Sequence, residues 1–191
     1  MFLKNPISAT VAGLFLSAVV GLAPAAAQQP QSLAADSAFI ARAASAGLLQ
    51  VKLGKLAEQK GTSNSVVEFG KRMVADYSKT NEDLKSAAKN AGFLAPVLLR
   101  HDQQIFDRFN SMGRSSFDKN YMSEMVKQHN EEVRLFERES TGGRVQSLKQ
   151  LASQMLPELQ RRLTLATQTA GAVGADVTAS VSAADEGADT Y

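Results

Sequence analysis

Cysteine and tryptophan are absent from these 191 residues, histidine occurs only twice (His101 and His129), and aromatic side chains make up 6%. Without cysteine there is no disulfide, no thiol nucleophile, no thiolate zinc site and no iron–sulfur cluster. Two histidines are too few for a histidine-rich metal cage. So few aromatics leave no stacking platform for nucleic acid. Phosphate-cradling glycine loops of the GxxxxGK[ST] or GxGxxG type are missing, and no strand-turn context presents a serine nucleophile. Charge of one sign is scarce too, with 21 Lys+Arg against 19 Asp+Glu. Residues 28–170 hold 20 basic and 15 acidic side chains, a mild excess that reads as a solvated mixed-charge helical surface.

What is present begins with an address. Lys4 is the only charged side chain before Asp36, and residues 7–22 form an apolar run rich in Ala, Gly and Ser, short for a membrane span. Pro24, Ala25, Ala26 and Ala27 follow, then Gln28. A basic start, an apolar centre and small residues at −3 and −1 predict a secretory signal peptide over 1–27, cleaved after Ala27. No cysteine follows for lipid attachment. The expected compartment is the bacterial periplasm, with no stable membrane span once the signal is removed. At the other end, residues 171–191 carry Asp176, Asp185, Glu186 and Asp189, no base, and no large apolar side chain before Tyr191. This composition predicts a disordered acidic tail, and residues 28–35 a short flexible leader.

The domain is expected over 36–170, where apolar residues recur at i, i+3 and i+4 and no segment alternates with period two. Four long helices are predicted. The first runs over 36–60, capped by Asp36 and stopped by Gly61. The second covers 65–90, opening on the capping-box spacing Ser65–Glu68 and ending near Gly92. A third covers 116–140, up to the break at Gly142-Gly143, and a fourth 145–169. A shorter helix over 100–110 lies in the connector between the second and third. Pro157 inside the fourth helix predicts a kink rather than a break. Stripes such as Phe39, Ala43, Leu53 and Ala57, or Phe117, Met122, Met125, Val133 and Phe136, cannot be buried by a lone helix. The fold class is therefore all-α, a four-helix bundle with an extra short connector helix.

Several segments carry a resemblance: GLLQVKLGKLA at 47–57, MVADY at 73–77, FDKNYM at 117–122, HNEEVRLFERES from His129 and LPELQRRLTLA from Leu156. In order and spacing they resemble the DUF4142 family, exported bacterial proteins of unknown function. The likeness spans about residues 36–168 and implies a ferritin-like bundle. It also implies inward carboxylates and imidazoles at four positions, of which this chain keeps only His129. Gln50 stands in place of a Glu, and Tyr77 and Arg162 stand in place of His.

The residue pattern alone singles out the same four. Gln50, Tyr77, His129 and Arg162 are each polar at an otherwise apolar register, midway along a long helix. They form the candidate ligand-binding cluster. A di-iron bundle needs about four carboxylates and two Glu-x-x-His pairs. Here the residues three before the histidines are Val126 and Leu98, and Arg162 would place a permanent charge where a cation belongs. No catalytic residue, metal ligand or cofactor is assigned. Two readings of the cluster remain: a hydrogen-bonded buried network, with an anion such as Asp76 or Glu132 near Arg162, or a site for a small anionic ligand oriented by Gln50 and Tyr77. The methionines on the stripes read as core filler. The expected function is a non-catalytic binding or interaction module of the cell envelope, with a stress-related role suggested by that compartment. Its partner would be a small ligand or an envelope protein, not nucleic acid. The alternative is a ferritin-like metal-binding or oxidoreductase protein.

Overall fold

The computed structural model describes residues 29–94 and 97–178; the expected signal peptide and the tail beyond residue 178 lie outside them. Five helices follow in order: α1 (Gln29–Lys60), α2 (Asn64–Asn90), α3 (Arg100–Ser111), α4 (Arg114–Gly142) and α5 (Gln146–Ala172). No strand occurs among the described residues, and no helix of theirs is long and apolar enough to cross a membrane. α5 runs unbroken through Pro157.

α1 lies against α2 and α4, and α5 against α4 and α2, so the four long helices close into a ring. Asp118, near the start of α4, reaches the backbone at the end of α1, accepting from Thr62 N at 3.0 Å and Ser63 N at 2.7 Å. Asp36, near the start of α1, accepts from Arg144 N and Val145 N just beyond the end of α4, at 3.0 and 2.8 Å. α1 and α4 are thus antiparallel, and the chain between α2 and α4 must travel the length of the bundle. α3 makes that crossover alongside α1. Ser45 Oγ accepts from Leu99 N at 2.8 Å and donates to the Asp102 carboxylate. Further along, Lys52 Nζ donates to Gln103 Oε1 at 3.3 Å, and Lys60 Nζ to the carbonyls of Phe109 and Met112 at 3.2 and 3.0 Å. One long crossover is the connectivity that ferritin-like bundles use.

Two of the expected caps differ. α1 begins upstream of Asp36, at Gln29, so residues 29–35, expected as a flexible leader, are helical. Asp36 is fully buried and caps another helix: its carboxylate satisfies backbone donors at the start of α5, where the helix dipole favours a negative charge. The N-terminus of α2 likewise has no side-chain cap of its own at Ser63 and is served by Asp118. Both hairpin turns are therefore pinned by an aspartate from a different helix. Asp36→Ala should lower the unfolding free energy by about 2 kcal/mol in a denaturant titration, because it strips a buried cap.

The tail also departs from expectation. α5 continues to Ala172, and Gly174 adopts φ 63°. Ala175 N then donates to Ala170 O at 2.9 Å and Gly174 N to Gly171 O at 3.2 Å, the paired bonds of a Schellman stop. Val173, Ala175 and Val177 pack on the core, and Ser123 Oγ donates to Asp176 O at 2.5 Å. Small apolar side chains thus dock residues 173–178, which composition alone assigned to a disordered tail.

Candidate functional site

The apolar core is divided in two. One cluster gathers Leu49, Leu53, Phe69, Met73, Phe109, Phe117, Tyr121 and Met125, and the other Phe39, Leu84, Val133, Phe136, Leu148 and Leu159. On α2, α4 and α5 the step between the clusters is marked by a buried polar residue, Thr80, His129 with Glu132, and Arg162, while the buried Gln50 on α1 lies just inside the first cluster, between Leu49 and Leu53. Tyr77, packed in the first cluster, turns its hydroxyl toward this layer. All of them sit at inward registers, so the helical period that buries their apolar neighbours buries them as well.

The structure brings Tyr77, His129 and Arg162 together. The Tyr77 hydroxyl donates to Glu132 Oε2, and its ring centroid lies 6.0 Å from that of His129. The Arg162 guanidinium stacks over the Tyr77 ring, Cζ to centroid 4.5 Å. Arg162 Nη2 donates to Thr80 Oγ1 at 3.2 Å, while Nε faces Asp76 Oδ2 at 3.7 Å and Glu158 Oε1 at 3.9 Å. The cationic head is 6% exposed and held by carboxylates exposed to 27% and 36%, so the charge is balanced where the core meets the surface. Asp76, anticipated as a counter-ion, fills that role.

Gln50 is 1% exposed at about the same level of the bundle. Gly47 on α1 faces Asn81 and Gly54 faces Val74, which sets Gln50 abreast of Tyr77. No hydrogen bond joins Gln50 to the other three among the described residues, and its Oε1 is without a partner. Glu132 is the member that sequence reasoning left out of the cluster. The signal was present in its spacing: three residues after His129, it lies on the same helical face.

Protonation in this layer is inverted from the usual order. Burial pushes the Glu132 carboxyl up to about 7, with the Tyr77 hydrogen bond and the Arg162 charge pulling the other way. Burial pushes His129 down to about 4, aided by Arg162 and opposed by the bond to the Met125 carbonyl. The imidazole is therefore neutral near pH 7. Its Nδ1 sits 2.7 Å from Met125 O, which can only accept, so Nδ1 carries the hydrogen and Nε2 is left as an unpaired acceptor. Burial also raises the Tyr77 phenol well above its ordinary value, which keeps it a donor. His129→Leu removes an unpaired buried acceptor at similar volume, so stability at pH 7 should change by less than about 1.5 kcal/mol in chemical denaturation.

Among the described residues, no three His, Asp or Glu side chains are grouped to hold a metal ion. Glu132 supplies one carboxylate beside one imidazole, with a guanidinium over the intervening tyrosine. On the outer side of Arg162, a cleft of about 270 Å³ opens between α2 and α5, lined by Arg72, Arg161, Arg162, Thr164, Leu165 and Gln168.

These features define an all-α four-helix protein whose two apolar half-cores are separated by a buried, partly ionic polar layer. The chain belongs to the DUF4142 family, a domain of unknown function, whose family model matches residues 21–169. No curated protein and no solved structure matches it.

Proposed function

We propose that the chain is an exported, non-catalytic binding module of the bacterial cell envelope, with the polar layer around Arg162 as its recognition element. The observation that carries this reading is Arg162 itself. It is 5% exposed, its Nε and Nη1 are buried without a hydrogen-bond partner, and the residue backs onto a cleft. A buried guanidinium with unsatisfied donors costs stability unless something accepts from it, which gives a ligand a reason to bind. Gln50 Oε1 and His129 Nε2 are also without partners, but they are buried in the bundle interior and do not line the cleft. A catalytic reading has less support: the neutral imidazole and the Glu132 carboxyl are both sealed from solvent, and the Tyr77 hydroxyl is committed to Glu132.

Export is supported by the sequence of residues 1–27, and the periplasm is its expected destination. A contribution to stress tolerance is the biological setting that compartment suggests. Two measurements on protein purified from its native envelope test the proposal. Mass spectrometry should find the mature N-terminus at Gln28, and an intact Met1 would mean a retained anchor. Elemental analysis should find iron, manganese, copper and zinc well below one equivalent. A near-stoichiometric metal would instead establish the alternative, a ferritin-like metal-binding or oxidoreductase protein.

A further inference from the structure

The cleft beside Arg162 has a chemistry of its own. Three of its six lining residues are arginines, two are the neutral polar Thr164 and Gln168, and the sixth is Leu165. No carboxylate lines it. The two acids that hold the arginines, Asp76 and Glu158, are not part of its wall. Together the five charges form a chain across the α2–α5 seam: Arg72 to Asp76, Asp76 to Arg162, Arg162 to Glu158, and Glu158 to Arg161. Three cations against two anions leave the chain positive, and the cations are the members that face the cleft.

The guanidiniums are only partly used. Arg72 donates to Asp76 through Nε at 3.4 Å, and its terminal nitrogens make no hydrogen bond among the described residues. Arg161 engages Glu158 through Nε and Nη2, leaving Nη1. Arg162 spends Nη2 on Thr80, and its unpartnered Nη1 is buried, so it lends the cleft wall its charge rather than a free donor. Arginine's fork suits the oxygens of a phosphoryl group, and hydrogen bonds to a charged acceptor are roughly twice as strong as neutral ones. Arg162 is held by two carboxylates and by burial, and Arg161 by Glu158, so less side-chain freedom would be lost on binding than for free arginines.

We propose that this cleft is a binding site for a phosphate-type oxyanion, gripped by Arg72 and Arg161, drawn by the charge of Arg162 behind them, and flanked by Thr164 and Gln168. The inference rests on the binding reading above and names its ligand class. A volume of about 270 Å³ admits a phosphoryl group with a small organic body, for which Leu165 is the apolar contact. The same chemistry is offered by free inorganic phosphate, by a small phosphomonoester and by the headgroup of an anionic phospholipid.

The test uses the full mature chain. Thermal melts are recorded with sodium phosphate, glycerol phosphate or sodium chloride at matched ionic strength, and co-sedimentation is measured with phosphatidylglycerol vesicles and with neutral phosphatidylcholine vesicles. Phosphate or glycerol phosphate should raise Tm in a saturable way that chloride does not reproduce. The double variant R72Q/R161Q, altered at exposed positions, should keep the wild-type fold by circular dichroism and lose at least tenfold in affinity. If the headgroup is the source, the vesicles with anionic lipid pull down the wild type but not the double variant, and the soluble anions shift Tm little. The proposal is overturned if neither soluble anion nor anionic vesicle binds beyond the chloride and neutral-lipid controls, or if the double variant binds as the wild type does. Either result leaves a metal-free binding module standing with a different ligand, whereas stoichiometric metal in the native protein would bring down the binding reading itself.

Discussion

Glu132→Gln is expected to gain about 3 kcal/mol of stability relative to the wild type as pH rises from 4.5 to above 7. The folded-state carboxyl titrates near 7 rather than at its ordinary 4.5 because it is buried. Below pH 4.5 both folded and unfolded chains hold the proton, and its favourable contribution is fully present. As pH rises through 7 the unfolded chain ionises freely while the folded chain must ionise a buried group, so the contribution is lost. Gln cannot ionise and escapes that loss. His129 works in the opposite sense. Its folded-state value near 4 lies below the ordinary 6.5, so its contribution is complete above pH 6.5 and disappears as pH falls through 4. His129→Leu should therefore gain on the wild type as pH falls. Glu139, raised to about 7 mainly by burial, titrates alike in all three proteins and cancels from the differences. Urea unfolding at half-unit pH steps provides the check. Difference curves of opposite slope are expected, and parallel curves would show that neither group is perturbed.

Gly70→Ala should cost about 2 kcal/mol, against the sign that helix propensity alone would give. In an exposed helix interior the same exchange gains up to roughly 1 kcal/mol, because Gly loses more backbone freedom on folding. At Gly70 the added Cβ would stand 2.7 Å from the Ala57 Cβ and 2.8 Å from the Gly54 carbonyl oxygen. A Cβ on Gly54 would in turn lie 2.8 Å from Gly70 O and 2.9 Å from Val74 Cγ2. The α1 and α2 backbones meet at these two glycines, and a methyl group there must push them apart over the layer that holds Gln50 and Tyr77. Gly171, on α5 with nothing within 4 Å of its Cβ direction, is the matched control. Gly171→Ala should be neutral or stabilising by a few tenths of a kcal/mol. Denaturant midpoints of the two variants settle the contrast.

Much of this architecture is legible in the sequence, and the limits have physical causes. The long helices announce themselves because each must hide an apolar stripe, and that stripe repeats locally every three or four residues. For the same reason Gln50, Tyr77, His129 and Arg162 stand out as interruptions at one depth. Glu132 escapes because α4 carries five glutamates in mixed surroundings, and the burial of this one is decided by a partner 55 residues away, the Tyr77 hydroxyl. Asp36 reads locally as the cap of its own helix, yet it caps one 108 residues downstream. The docking of residues 173–178 depends on small side chains finding a matching surface near Ser123, which composition cannot foresee. The arginine cleft is likewise invisible to a helical period, since Arg72 and Arg161 are exposed and become neighbours only when α2 meets α5.

The bundle's centre holds a neutral imidazole, a carboxyl that keeps its proton until near pH 7, and a cation shared with the surface, in place of a metal-ready set of ionised ligands. A nuclear magnetic resonance titration of the Glu132 side-chain carbon and the His129 ring in the mature protein tests this most directly. The carboxyl is predicted to titrate near 7 and the imidazole near 4. A carboxyl already ionised at pH 5, beside an imidazole that titrates near 6.5, would contradict it.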